Sequence, residues 1–259
     1  MKILVVGDSC KDIFIYGNIE RISPEAPVPV FLPSNTIENI GMAGNVANNI
    51  SSLGHDCDLI TNKSQITKTR YVESKSNQMI VRVDENDTVQ ENDNFNLFKE
   101  STRMEDYDAL VISDYDKGFL SSSDIDYLLN HDIPSFLQTS KKLDSWAEMA
   151  MFIKINELEY EKSKNYIDIP DSLKDSNLIV TLGDKGCMYG DKIYEINEKI
   201  EIRDVSGAGD TFLAGLVTEY LTSKEIDKSI QFAQKLSIKV VQKKGINIVG
   251  KLNPKVRRI

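Results

Sequence analysis

Four short apolar runs set the frame of this chain: "ILVV" at 3–6, "ALVIS" at 109–113, "FIKIN" at 152–156 and "LIVTLG" at 178–183. A strand with one wet face alternates apolar and polar residues. An uninterrupted apolar run is what a strand covered on both faces needs. Helical periods lie between these runs. Residues 43–53 put Ala43, Val46, Ala47, Ile50 and Leu53 on one face, with Gly54 placed to cap the end. Residues 210–221 give a stripe of Phe212, Leu213, Leu216, Val217, Tyr220 and Leu221, and residues 225–242 one of Ile226, Ile230, Ala233, Leu236 and Val240. Strands alternating with helices predict an α/β fold, a mostly parallel central sheet flanked by helices. In such a sheet, ligands sit outside the C-terminal ends of the strands, where each of these runs meets polar or glycine residues.

Two regions break the alternation. Residues 13–40 hold "IFIYGNI" and the proline-rich "SPEAPVPVFL", and residues 69–83 read as two strands around "SKSN". Prolines confine the first region to edges or turns. The two are expected to pair as a small β lid over one end of the main sheet, within a single domain spanning 1–259. A small sheet with an open face makes a homodimer through the lid an expectation.

Composition narrows the function classes. A net charge of -9 over 259 residues argues against a sequence-independent nucleic-acid surface. The one basic cluster, "KVRRI" at the C-terminus, reads as a solvated tail. Three scattered cysteines (Cys10, Cys57, Cys187) and isolated His55 and His131 offer no zinc spacing and fit a reducing, cytoplasmic setting. The apolar start "MKILVVGD" is too short for a signal peptide or a membrane span.

The chemistry is concentrated in "DVSGAGDTF" (204–212). Gly207, Ala208 and Gly209 at a helix start leave backbone N–H groups able to cradle a phosphate, and Asp210 in the first turn could take a proton from an attacking hydroxyl. Alone the stretch favours the structural reading, a glycine turn with a dipole-stabilising aspartate. Other pieces favour chemistry. "KINELE" puts Asn156 and Glu159 just after a strand, an amide and a carboxylate suited to a hydrated magnesium ion. "TLGDKG" (181–186) is a second glycine turn after a strand. "GDSCKD" presents Asp8 and Asp12, and "GMAGN" offers Gly41 and Asn45 at a helix start, groups suited to a polyhydroxylated ligand. "GINIVGKL" (245–252) has P-loop glycine spacing, but Leu252 stands where Ser or Thr should be, and Asn253 and Pro254 follow, so it is rejected. "GDSCKDIFIYG" lacks the glycine spacing of a dinucleotide turn, which counts against a dehydrogenase.

Taken in order, "VVGD", "GMAGNVA", "NELE", "TLGDKG" and "DVSGAGDTF" resemble the ribokinase-like (PfkB) sugar kinases. More specifically, "RISPEAPVPV" (21–30), "NVANNISSLG" (45–54), "TKTRY" with "QMIVRVD" (67–84) and "LVISDYDKGFL" (110–120) resemble the kinase domain of the heptose 7-phosphate kinases, which supply ADP-heptose for lipopolysaccharide. The resemblance implies ATP and magnesium as cofactors and Asp210 as the catalytic base, with Gly207, Ala208 and Gly209 as the anion hole. It implies Asn156 and Glu159 as organisers of magnesium through water. Thr181, Gly183 and Gly186 would lie beside the nucleotide, and Lys141, in "TSK" where the family has "DPK", near its phosphates. Asp8, Asp12, Gly41 and Asn45 match sugar-contacting positions. Arg21 and Lys117 would meet the sugar's phosphate, or stand as surface or hinge residues. The implied product is a heptose 1,7-bisphosphate.

Two departures bear on the acceptor. Met42 replaces a second glycine after Gly41. Only four residues, 63–66, separate "LITN" from "TKTR", where the family has a further strand–helix–strand passage. These keep open a kinase of the same type for another sugar, sugar phosphate or nucleoside, and a trimmed module that binds nucleotide without turnover.

Overall fold

The structure is a computed structural model that describes residues 1–89, 95–164, 177–197, 200–243, 245, 249 and 255–259. Most of the "GINIVGKL" stretch lies outside these residues.

Among the described residues, nine strands form one sheet. Numbered in chain order, they are β1 (Lys2–Gly7), β4 (Asp56–Ile60), β7 (Ala109–Asp114), β8 (Ser135–Thr139), β9 (Phe152–Asn156), β10 (Leu178–Thr181), β11 (Cys187–Tyr189), β12 (Lys192–Tyr194) and β13 (Val256–Arg258). Their spatial order is β12-β11-β10-β9-β8-β7-β1-β4-β13. The sheet is parallel from β13 to β10, and only the β11–β12 hairpin at one edge runs antiparallel.

The uninterrupted apolar runs fill two cores. One face of the sheet sends Leu4, Val6, Leu110, Ile112, Ile153 and Val180 toward α2 (Phe95–Ser101) and α3 (Ser122–Leu129). The other sends Ile3, Val5, Val111, Phe136 and Ile179 toward α1 (Ala43–Ser52), α5 (Ala208–Ser223) and α6 (Ile226–Val241). This is the three-layer α/β arrangement the alternation predicts. Removing one of the fully buried branched side chains, such as Ile112, leaves a void that costs about 2–5 kcal/mol.

The C-terminal stretch corrects the sequence reading. "KVRRI" is not a solvated tail: β13 pairs in parallel with β4 at the sheet edge. Arg257 clamps the buried Asp58 carboxylate, its Nε donating at 2.8 Å, and Tyr107 donates to the same group at 2.8 Å. A short basic strand carries too little apolar periodicity to be told from a tail.

A second sheet forms the lid. Its strands are β2 (Ser9–Ile22), β3 (Pro29–Met42), β5 (Ile66–Glu73) and β6 (Met79–Glu85), in the order β3-β2-β5-β6. They begin earlier than the apolar pattern suggests, because β2 continues almost directly from β1. The prolines of β3 sit on an edge strand, where a missing N–H costs no ladder bond. Register decides the faces. Asp12 lies opposite Lys68, Phe14 opposite Arg70, and Arg70 opposite Arg82, so these share the inner face. Ile15, Tyr71 and Val81 line up on the outer face.

Candidate active site

The site gathers where strand ends, the α5 N-terminus and the lid's inner face meet. Gly207 is the N-cap of α5, at φ 78, and Asp210 stands in the first turn, 5% exposed. The Ala208 N–H donates to Val205 O at 3.2 Å and the Thr211 N–H to Gly207 O at 2.9 Å. Between them the Gly209 and Asp210 N–H groups belong to the first turn, whose donors point out of the helix end, where its dipole is positive. A Cβ at Gly209 would come within 2.9 Å of the Lys154 Nζ, so a larger residue there would push the ammonium aside.

Both oxygens of the Asp210 carboxylate are held. Asn45, on α1, donates from Nδ2 to Oδ2 at 2.8 Å, and the Tyr115 hydroxyl donates to Oδ1. Asn49 in turn donates to Asn45 Oδ1 at 3.1 Å, which fixes the Asn45 amide with its nitrogen toward Asp210. Burial pushes the Asp210 carboxyl above its ordinary range, while the bonds from Tyr115 and Asn45 and the Lys154 ammonium pull it back down.

Lys154 is the residue that motif reading missed. It sits on β9, 4% exposed, and donates to Gln138 Oε1 at 3.0 Å. Gln138 donates from Nε2 to the Tyr115 hydroxyl at 3.0 Å. Burial lowers the Lys154 ammonium below its ordinary value, against the pull of Glu159 and Asp210. Burying an ammonium is costly unless anions compensate it. A lysine inside the apolar run "FIKIN" was the signal that could have found it.

Asp210, Lys154, Tyr115 and Gln138 line a cavity of about 300 Å³, shared with Asp12 and Met42 and with three cations from the lid: Lys68, Arg70 and Arg82. Arg70 pairs with Asp12, and Arg82 grips Asp84 with two bonds, the Nε one at 2.7 Å. Lys68 lies 3.4 Å from Asp87 and 3.8 Å from Asp84. Gly41 lies opposite Cys10 across β2 and β3, and a Cβ on it would come within 2.1 Å of the Asp12 carboxylate. Met42 holds φ 62, a left-handed backbone that suits glycine.

Asn156 and Glu159 line the same cavity and cap α4 (Glu157–Lys164). Glu159 N–H donates to Asn156 Oδ1 at 2.8 Å and Asn156 N–H to Glu159 Oε2 at 2.8 Å, the two halves of a capping box. Ser140 donates to the other Glu159 oxygen at 2.9 Å. Among the described residues no group of three or more His, Cys, Asp and Glu side chains is arranged to hold a metal ion.

Several expected site residues stand elsewhere. Asp8 does not line the cavity. Its carboxylate, 1% exposed, accepts from the backbone N–H of Tyr115 at 2.7 Å, of Phe119 at 3.3 Å and of Lys117 at 3.4 Å. Burial and nearby Asp114 push it up to about 6, against those three donors. Arg21 is exposed on the outer part of β2. The Lys117 ammonium is held by Asp87 at 2.6 Å. Lys141 is clamped between Asp114 at 3.0 Å and Asp116 at 2.8 Å. Thr181 ends β10 and donates to Ile155 O at 3.3 Å. Gly186 follows at the "TLGDKG" turn, and Gly183 joins Ala208 in a separate, mainly apolar groove of about 400 Å³ lined by Ile196, Ile202, Val205 and Val241.

A family model described as "pfkB family carbohydrate kinase" matches residues 60–251, well over half of the chain. The chain belongs to the pfkB family of carbohydrate kinases. Members of this family are carbohydrate kinases, phosphotransferases that act on a sugar hydroxyl. The bifunctional protein HldE of Helicobacter acinonychis is 31% identical to this kinase over 94% of the chain, and the chain spans 63% of that relative's length. Among solved structures, the ribokinase of Thermotoga maritima superposes with a TM-score of 0.69 at 17% identity, covering 94% of both chains. The Arabidopsis thaliana ribokinase, solved with ribose and ATP, gives 0.66 at 14% identity over 94% of this chain and 93% of its own. At such identities these two establish the kinase's fold alone. Among the described residues no helix is long and apolar enough to cross a membrane.

Proposed function

We propose that this kinase transfers the γ-phosphoryl group of ATP to the anomeric hydroxyl of a heptose 7-phosphate, giving the 1,7-bisphosphate. The observation that carries the reading is one cavity holding both Asp210 at the α5 N-terminus and the lid cations Lys68, Arg70 and Arg82. An acceptor that already bears a phosphate needs a base at one end and clustered cations at the other. Arg70 and Arg82 take the part that Arg21 and Lys117 were expected to play.

In the reaction the acceptor O–H gives its proton to the Asp210 carboxylate. The oxygen bonds to the γ-phosphorus, and the bond to the bridging oxygen breaks, leaving ADP. Positioning and charge neutralisation dominate such transfers. The first-turn N–H groups and Lys154 face the transferring group. The apolar groove beside Gly183 and Ala208 suits the nucleotide base. Glu159, capped but with lone pairs to spare, would hold an ATP-bound magnesium ion through water, and that ion would supply charge neutralisation at the phosphates.

A panel of acceptors compared by kcat/KM tests the proposal. Heptose 7-phosphate is expected to exceed fructose, ribose and adenosine. A second reading, another phosphorylated sugar, is favoured by Met42 in the cavity wall and by the short connection from β4 to β5, beside which a polar cavity of about 270 Å³ opens. Preference for that acceptor over the heptose would replace the first reading.

The lid also supports a homodimer. Its outer face presents Ile15, Tyr71, Val81 and Val83, the two valines 49% and 42% exposed. An amphipathic four-stranded sheet with an open apolar face is completed by a second copy of itself.

A further inference from the structure

The bonds around Tyr115 have a direction. A lysine ammonium only donates, so Lys154 fixes the Gln138 oxygen toward itself and the Gln138 NH₂ toward Tyr115. The Tyr115 oxygen accepts there, and its single proton is left for Asp210. Burial, and then the charge of Asp210, raises the Tyr115 hydroxyl well above its ordinary value, so it stays a donor throughout the working pH range. A second chain of contacts sets where Tyr115 stands. It opens the turn after β7, where Asp116 and Gly118 adopt left-handed backbones (φ 56 and 99). That turn aims three N–H groups at the Asp8 carboxylate, an anion nest filled from within the protein.

We infer that Tyr115 is the positioning residue of the base: its hydroxyl, oriented by Lys154 through Gln138 and seated by Asp8, fixes one oxygen of the Asp210 carboxylate while Asn45 fixes the other. The remaining lone pairs are then aimed into the cavity. The inference rests on the kinase reading of Asp210. Asn45 alone leaves the carboxylate free to rotate about its last bond, whereas two donors on opposite oxygens do not. A donor to the ionised form also keeps a buried carboxylate ready to accept a proton. The charged and titratable groups that share the cavity with Asp210 are Tyr115 from the β7 turn, Lys154 from β9, Glu159 from α4, Cys10 and Asp12 from β2, and Lys68, Arg70 and Arg82 from β5 and β6.

The test compares wild type with Tyr115→Phe, which keeps the ring and removes the donor. With heptose 7-phosphate and magnesium-ATP, kcat at neutral pH is expected to fall about tenfold, the value of one bond to a charged group, with both KM values within about twofold. The acid limb of kcat/KM is expected to move to higher pH, which a purely structural role for Tyr115 would not produce. An unmoved acid limb overturns the inference. The second measurement needs no turnover: carbon-13 NMR titration of the Asp210 carboxyl, assigned by its loss in Asp210→Asn. Its midpoint is expected to rise in Tyr115→Phe, and an unchanged midpoint overturns the inference. Wild type inactive on every acceptor would refute the kinase reading alone, because the titration still decides the role of Tyr115.

Discussion

Asn156 and Glu159 hold each other's backbone N–H groups, both at 2.8 Å, so the pair begins α4 as well as lining the cavity. The two roles separate by substitution. Glu159→Gln keeps an oxygen for the Asn156 N–H and removes the charge. Its stability is expected to stay near wild type while kcat/KM for magnesium-ATP falls about tenfold. Glu159→Ala also loses the cap, and about 1 kcal/mol of stability in urea unfolding. Equal kinetics for Glu159→Gln and wild type would leave the pair with its structural role only.

Arg82 reaches the cavity from the lid edge while gripping Asp84. Arg82→Ala is expected to raise the KM for a phosphorylated acceptor about tenfold, and to leave the KM for ATP unchanged. Steady-state kinetics with each substrate varied in turn checks this. A rise confined to ATP would move the cations to the nucleotide side.

Met42 combines a left-handed backbone with a side chain only 5% exposed. Met42→Ala loses the packing and keeps the strain, at an expected cost of about 2–4 kcal/mol. Met42→Gly loses the same packing but relieves the backbone, recovering about 1 kcal/mol. The glycine variant is therefore expected to unfold at higher urea than the alanine variant, the reverse of the usual order. The usual order would show that the backbone at 42 is unstrained.

For the lid dimer, Val81→Lys puts a charge in the centre of the outer apolar face. Sedimentation velocity is expected to show a dimer for wild type and a monomer for the variant at the same concentration. A wild-type monomer throughout the micromolar range would remove the dimer.

Much of the fold was legible because its strands are covered on both faces, and "ILVV" or "ALVIS" has no other comfortable place in a protein of this size. The edge strand β13 was not, since three residues paired on one side carry no period. The start of α5 and Asp210 were legible from small residues ahead of an apolar stripe. Lys68, Arg70 and Arg82 were not, because only the register of β2, β5 and β6 puts them on the face of Asp12. Asp8 misled by its nearness to Asp12 in sequence. It stands at the pivot between the two sheets, where its carboxylate turns to the β7 loop instead of the cavity.

The central claim is that Asp210 accepts the acceptor's proton, and ADP release across pH tests it most directly. Burial raises the Asp210 carboxyl above its ordinary range, so the protonated, inactive form persists to higher pH than for an exposed aspartate. Wild-type kcat/KM with heptose 7-phosphate is expected to fall as pH drops through that raised value. Asp210→Asn is expected to lower kcat about 10²–10⁴-fold, with ATP binding intact and no acid limb. An Asp210→Asn variant that releases ADP at the wild-type rate, with the same acid limb, would contradict the account.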